Sequence, residues 1–193
     1  MDRQTACVFP EPLETPRLSL RALTADAMDA WILGDARTLG RAVGARFPGE
    51  PVGPPLDLDD LVHVRDRLID EGPDGGWWVW MVVLRQTREP IGLVTLAGDS
   101  EPDGGMAFGF SVDPRQAGHE YAEEAIEGVL AWTLAQPGVR FVRAAIPVGN
   151  DASMRVAEHV GMRPAGTARD PDLGEIVVFE RSARRYPVGP GRS

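Results

Sequence analysis

The sequence predicts an α/β (α+β) domain: a mixed, mainly antiparallel sheet of about seven strands, flanked by about four helices. Three observations predict it. Between residues 77 and 112, three β-branched and aromatic runs follow one another through short turns, the pattern of an antiparallel meander. From Tyr121 the apolar period lengthens from two residues to the helical 3.6, then shortens again at Val139. A helix therefore joins two strands, which most simply lie parallel in a right-handed crossover. A second helical pattern from Asp151 is followed by two closing strands.

The elements follow in chain order. Arg17-Leu18-Ser19-Leu20-Arg21 alternates polar and apolar residues, as a half-buried strand does. Thr24 and Asp26 offer a cap for a helix through Leu33, with Ala27, Ala30 and Trp31 on one face. Residues 44–55 are dense in Gly and Pro and predict a loop. Residues 57–71 carry a helical period in Leu58, Leu61, Val62, Leu68 and Ile69, and Gly72 stops it. Strands are expected at 77–84, 91–96 and 106–112, with turns at 86–90 and 99–105. Within the first, Trp78 and Trp80 fall on one face and Trp77 on the other, which suits core packing. The helix 121–135 places Ala122, Ala125, Ile126, Val129 and Leu130 on one face. Pro137-Gly138 ends it, and a strand over 139–146, a helix over 151–160 and strands over 163–168 and 175–181 complete the chain.

One domain over residues 13–183 is expected, between an arm of residues 1–12 and a Pro-, Gly- and Arg-rich tail of residues 184–193. A net charge of −9 argues against nucleic-acid or anionic-membrane partners, because phosphates would be repelled over most of the surface. The lone Cys7 supports neither a disulfide framework nor a zinc site, and no metal site is expected. Residues 1–12 lack the apolar core of a secretory signal, and no apolar run approaches the roughly 20 residues of a membrane span. A cytoplasmic location is the simplest expectation.

The residues 112–125 carry the most chemistry. A strand hands over to a helix through a loop containing Gly118, and the unpaired N–H groups at such a junction bind anions. Glu120 places a carboxylate in this loop. Further on, Asn150 lies between a strand and a helix, where it and Ser153 can cap the helix, bind a ligand, or both.

Four stretches together resemble the GNAT superfamily of acyl-CoA-dependent N-acyltransferases, in its RimJ/RimL-like branch. They are the opening strand in residues 13–21, Glu89-Pro90-Ile91-Gly92, the pair Gly109–Pro114 and Gly118–Ala125, and the "N-x-x-S" helix from Asn150 to Met162. The resemblance implies acetyl-CoA as cosubstrate, a primary amine (on a small molecule or a protein N-terminus) as acceptor, and direct attack in a ternary complex. It implies cofactor contacts from Phe110, Val112, Arg115, Gln116, Ala117, Gly118, His119, Tyr121, Ala122, Asn150, Ser153 and Arg155. Ser153 is the candidate general acid, since no Tyr follows it closely. Asp99, Glu101, His119 and Glu120 are candidates for the base, with Glu120 preferred.

The loop departs from the family pattern, with Ala117 in place of Arg or Gln and Glu120 in place of the middle Gly. Glu120 either faces the diphosphate, adding bulk and a like charge, or points to solvent and leaves its N–H usable. Alternative expectations are a GNAT-fold module without acyl-CoA use and an acyltransferase with another donor. A homodimer stays open.

Overall fold

The computed structural model describes residues 10–47, 58–72, 77–97 and 104–183. Most of the expected arm and of the Gly/Pro-rich segment, together with Asp99, Glu101 and the tail from residue 184, lie outside these residues.

Among the described residues one eight-stranded sheet runs in the order β1-β2-β3-β4-β5-β6-β8-β7. Its strands are β1 (Leu13–Glu14), β2 (Leu18–Ala22), β3 (Trp77–Leu84), β4 (Pro90–Ala97), β5 (Gly105–Val112), β6 (Phe141–Pro147), β7 (Arg163–Asp170) and β8 (Gly174–Ser182). The helices are α1 (Ala25–Ile32), α2 (Ala36–Val43), α3 (Leu58–Glu71), α4 (Tyr121–Leu134) and α5 (Asp151–His159), with a 3₁₀ turn at Pro114–Gln116. Every neighbouring pair of strands is antiparallel except β5 and β6, as the connecting helix predicts.

Among the described residues there are one strand and one helix more than expected. β1 is only two residues long, pairing Leu13 with Leu20 and Glu14 with Ser19, too short to show a period. α2 buries Leu39, Gly40 and Val43, one apolar pair with a glycine between, so its period is faint. Its ends are nonetheless marked. The Asp35 carboxylate accepts from Thr38 N–H, and Gly44 closes the helix in the left-handed region at φ 66°.

The period of two in β3 divides the core. Trp78, Trp80 and Val82 join α4 and α5 residues such as Ile126, Leu130 and Ala157 on one side. Val79, Met81 and Val83 join Leu23, Met28, Leu39 and Leu61 from α1–α3 and the β2–α1 turn on the other. Trp78, Trp80 and Trp132 pack as a triad with ring centroids 5.2 to 6.4 Å apart, the core role expected of them; the Trp77 side chain lies outside the description.

The sheet is not continuous along its parallel pair. β5 and β6 pair only over residues 105–107 and 141–143. Beyond that, β5 follows β4 as far as Gly92 opposite Val112, while β6 follows β8 as far as Pro147 opposite Ile176. The two strands therefore part beyond these pairs and are not hydrogen-bonded at their C-terminal ends. Gly92 permits close apposition on the β5 side: a Cβ on it would lie 2.3 Å from Ser111 O and 3.0 Å from Val112 Cα.

Candidate active site at the split in the sheet

In an α/β sheet, ligands bind beyond the carboxyl ends of parallel strands, where neighbouring connections leave in different directions. Here β5 leads through the 3₁₀ turn into α4, and β6 leads through Asn150 into α5. Both helices begin at the open end of the split.

The loop out of β5 is built by its own residues. The Asp113 carboxylate accepts from Arg115 N–H at 2.9 Å, and the Arg115 guanidinium folds back onto it with Nε at 2.8 Å and Nη2 at 2.5 Å from Oδ2. These bonds hold the Asp113 carboxyl below the usual carboxylate range. Arg115 is thus exposed but already paired. The chain then turns left-handed at Gly118 (φ 83°) and again at Glu120 (φ 57°). Glu120 occupies the N-cap position of α4 without a side-chain capping bond. A left-handed conformation costs a residue with a Cβ about 1–2 kcal/mol. The backbone thus takes a shape that suits glycine, with a glutamate in it.

The backbone N–H groups of Gly118, Glu120, Tyr121 and Ala122 make no hydrogen bond among the described residues. The last two lie in the first turn of α4, where the helix dipole favours an anion. Ala117, Gly118, His119 and Glu120 are exposed, while Gln116, Tyr121 and Ala122 are half-buried. These backbone donors, rather than side chains, are what this loop offers to an acceptor from outside the chain.

A clamp from the other end of the chain fastens the loop. Glu124 receives Thr15 Oγ1 at 2.5 Å and Arg17 N–H at 2.8 Å on one oxygen, and Arg17 Nε at 2.5 Å on the other. Burial pushes the Glu124 carboxyl up, but these three bonds outweigh burial and hold it below its ordinary value. Arg17 also donates to His119 O at 2.8 Å and lies 4.7 Å from the Tyr121 ring centroid, and the His119 ring stacks on Tyr121. Glu124 is therefore charged, but its charge is matched by Arg17. Glu123 reaches His159 Nδ1 at 3.7 Å, linking α4 to α5.

On the other side of the split, Asn150 Oδ1 accepts from Ser153 N–H at 3.2 Å, the capping bond its position allows. Ser153 is half-buried and its hydroxyl makes no hydrogen bond among the described residues. Arg155, further along α5, is exposed. Phe110 and Val112 pack against the core at the end of β5. The topology thus brings Phe110, Val112, the loop 116–122, Asn150 and Ser153 to one end of the split. Arg115 arrives paired to Asp113, and the Glu120 carboxylate makes no hydrogen bond among the described residues.

Sequence reasoning missed the Thr15–Arg17–Glu124 clamp. Its partners are more than 100 positions apart, and the only sequence signals were the Thr-Pro-Arg start of β2 and a carboxylate one turn into α4. A separate cleft of about 880 Å³ lies along α4, the end of α5 and β7–β8. Its ionic residues are largely paired, Glu127 with Arg181 and Glu180 with Arg143.

Residues 17–163 match the family model of the acetyltransferase (GNAT) domain. None of the curated protein sequences matches the chain. Among solved structures, a ribosomal-protein-S5-alanine acetyltransferase from Vibrio fischeri superposes with a TM-score of 0.67 at 16% identity, covering 91% of this chain and 98% of that one. RimL, a ribosomal L7/L12 alpha-N-protein acetyltransferase solved with coenzyme A, superposes at 0.64 and 14% identity, covering 89% and 98%. A spermidine N-acetyltransferase mutant from Vibrio cholerae superposes at 0.61 and 16% identity, covering 88% and 95%.

Proposed function

Since this chain belongs to the GNAT acetyltransferase family, we propose that it moves an acetyl group from acetyl-CoA to a primary amine by direct attack in a ternary complex. The observation that carries this reading is the split between β5 and β6, flanked by a cradle of unbonded N–H groups on one side and Ser153 on the other. The residues present fit such a donor. The cradle at Gly118–Ala122 takes the diphosphate, the apolar end of β5 with Phe110 and Val112 lines the pantetheine arm, and the α5 start takes the thioester end.

In the reaction the amine nitrogen attacks the thioester carbonyl, an N–C bond forms and the C–S bond breaks. The amine loses a proton and the departing thiolate gains one. Ser153 is our candidate donor of the second proton, since its hydroxyl has no competing partner. Glu120, the expected acceptor of the first, sits in the cradle that takes the diphosphate, a whole pantetheine arm from the thioester, so the first proton goes to water or to a base on the acceptor side of the split. Each transfer of this kind is worth ~10²–10⁴-fold in rate. Solved neighbours of the same fold are named for protein and spermidine acetylation, so the acceptor class spans protein N-termini and small amines.

The test is to follow release of free thiol from acetyl-CoA across a panel of amines. Amine-dependent release supports the reading; acetyl-CoA that is neither bound nor consumed with any amine overturns it.

A further inference from the structure

A second charged concavity lies at the same end of the sheet, on the face that carries α1–α3. Between β2, the β3–β4 hairpin and the end of α2, a cavity of about 290 Å³ is lined by Glu14, Arg21, Gly44, Arg85 and Arg88, among others. Ser19 stands opposite Val83 and Arg21 opposite Met81 in the β2–β3 ladder, which fixes the face. Val83 is two strands from the end of β5, about 10 Å at ordinary strand spacing.

The lining carries three guanidinium groups and one carboxylate. Glu14 meets Arg21 at 3.5 Å and Arg85 at 3.3 Å, while among the described residues Arg88 donates only to a carbonyl, Gly44 O at 2.9 Å. Guanidinium groups do not deprotonate in proteins, so the cavity keeps a positive excess in a chain whose net charge is −9. The groups also converge: atoms of the Arg21 and Arg88 guanidinium groups each lie 3.9 Å from the point a Cβ on Gly44 would occupy. The Ser19 hydroxyl, bonded to both Glu14 and Arg21, fixes the Arg21 side of this geometry. Arg85 is fixed by its bond to Thr15 O at 2.7 Å. Arginines held by backbone and hydroxyl partners, with terminal N–H groups to spare, form a preorganised fork for an oxyanion.

We propose that this cavity binds a phosphate-like dianion. The ligand group is carried by the amine acceptor or arrives as a free ion, and the two sources are separable.

The primary test follows backbone amide shifts during titration with inorganic phosphate, with ionic strength held constant by chloride. It does not depend on acyl transfer. Saturable shifts at Gly44, Arg85 and Arg88, weakened at least tenfold in an Arg85→Gln/Arg88→Gln variant with an unchanged circular dichroism spectrum, are expected. Saturation confined to Gly118–Ala122, unchanged affinity in the variant, or no saturable shift overturns the proposal; should the double variant unfold, Arg88→Gln alone supplies the comparison. The second arm compares ethanolamine with O-phosphoethanolamine as acceptors. A lower KM for the phosphorylated amine, lost on Arg88→Gln, assigns the group to the acceptor. Equal KM values, with phosphate binding retained, assign it to a free ion.

Discussion

Replacing Glu120 separates backbone geometry from charge at the diphosphate cradle. Glu120 holds φ 57° and ψ 24° at the N-cap of α4, where a Cβ costs about 1–2 kcal/mol. Glycine relieves that strain but loses about 0.5–1 kcal/mol of chain entropy on folding. Glu120→Gly should therefore stabilise the fold by about 0.5–1 kcal/mol, and Glu120→Gln should leave stability nearly unchanged. Binding divides differently. A carboxylate about 4 Å from a diphosphate charge repels it by an amount worth about fivefold in Kd if water screens it, and nearly a thousandfold at an effective dielectric of 20. Glu120 is exposed, so the smaller figure applies. Both variants should bind acetyl-CoA roughly fivefold more tightly by calorimetry, with a weaker salt dependence. Because Glu120 lies at the diphosphate and not at the thioester, kcat at saturating substrates should change by less than about threefold in both variants. A Kd that is unchanged or weaker in both variants refutes the electrostatic reasoning. A kcat that falls about 10²-fold in both variants contradicts this placement of the diphosphate.

Four further outcomes follow from the same geometry. Glu124→Gln should lower stability at neutral pH by about 2 kcal/mol, because it breaks charge-assisted bonds to Arg17 and Thr15. Its folded pKa lies below the ordinary 4.5, so the wild-type advantage should be full above that value and fade as pH falls through the folded value; urea midpoints against pH check this, and a constant difference contradicts it. Asn150→Ala should cost about 1 kcal/mol by loss of the α5 cap, while Asn150→Asp keeps the cap and so isolates any effect on acetyl-CoA affinity. Ser153→Ala should lower kcat ~10²-fold or more with little change in acetyl-CoA Kd, read by thiol release. Gly92→Ala should destabilise by about 1–3 kcal/mol, since its Cβ would meet the backbone of β5; an unchanged melting temperature contradicts that contact.

Much of the fold was legible because each long element carries its own period. The alternation of Trp78, Val79, Trp80 and Met81 reports two buried faces, and the structure fills both. α2 and β1 escaped because eight residues with one apolar pair, or two residues alone, carry no measurable period. Asn150 was legible as a cap because capping is local. The split was not, since it depends on where the β5–β6 ladder ends, which is a matter of register between strands joined through a helix. The clamp of Glu124 by Thr15 and Arg17 was hidden for the same reason. The left-handed Glu120 is the instructive case. Local preference disfavours Glu there, yet the loop adopts the left-handed conformation, fastened by Arg17 at His119 O and Tyr121.

The central claim is that the split and its N–H cradle hold an acyl-CoA. Calorimetric titration with acetyl-CoA beside CoA tests it most directly. Saturable one-to-one binding of both, with shifted amide signals at Gly118, Glu120, Tyr121 and Ala122, is the result expected. No heat and no shift at these four residues with millimolar acetyl-CoA contradicts it.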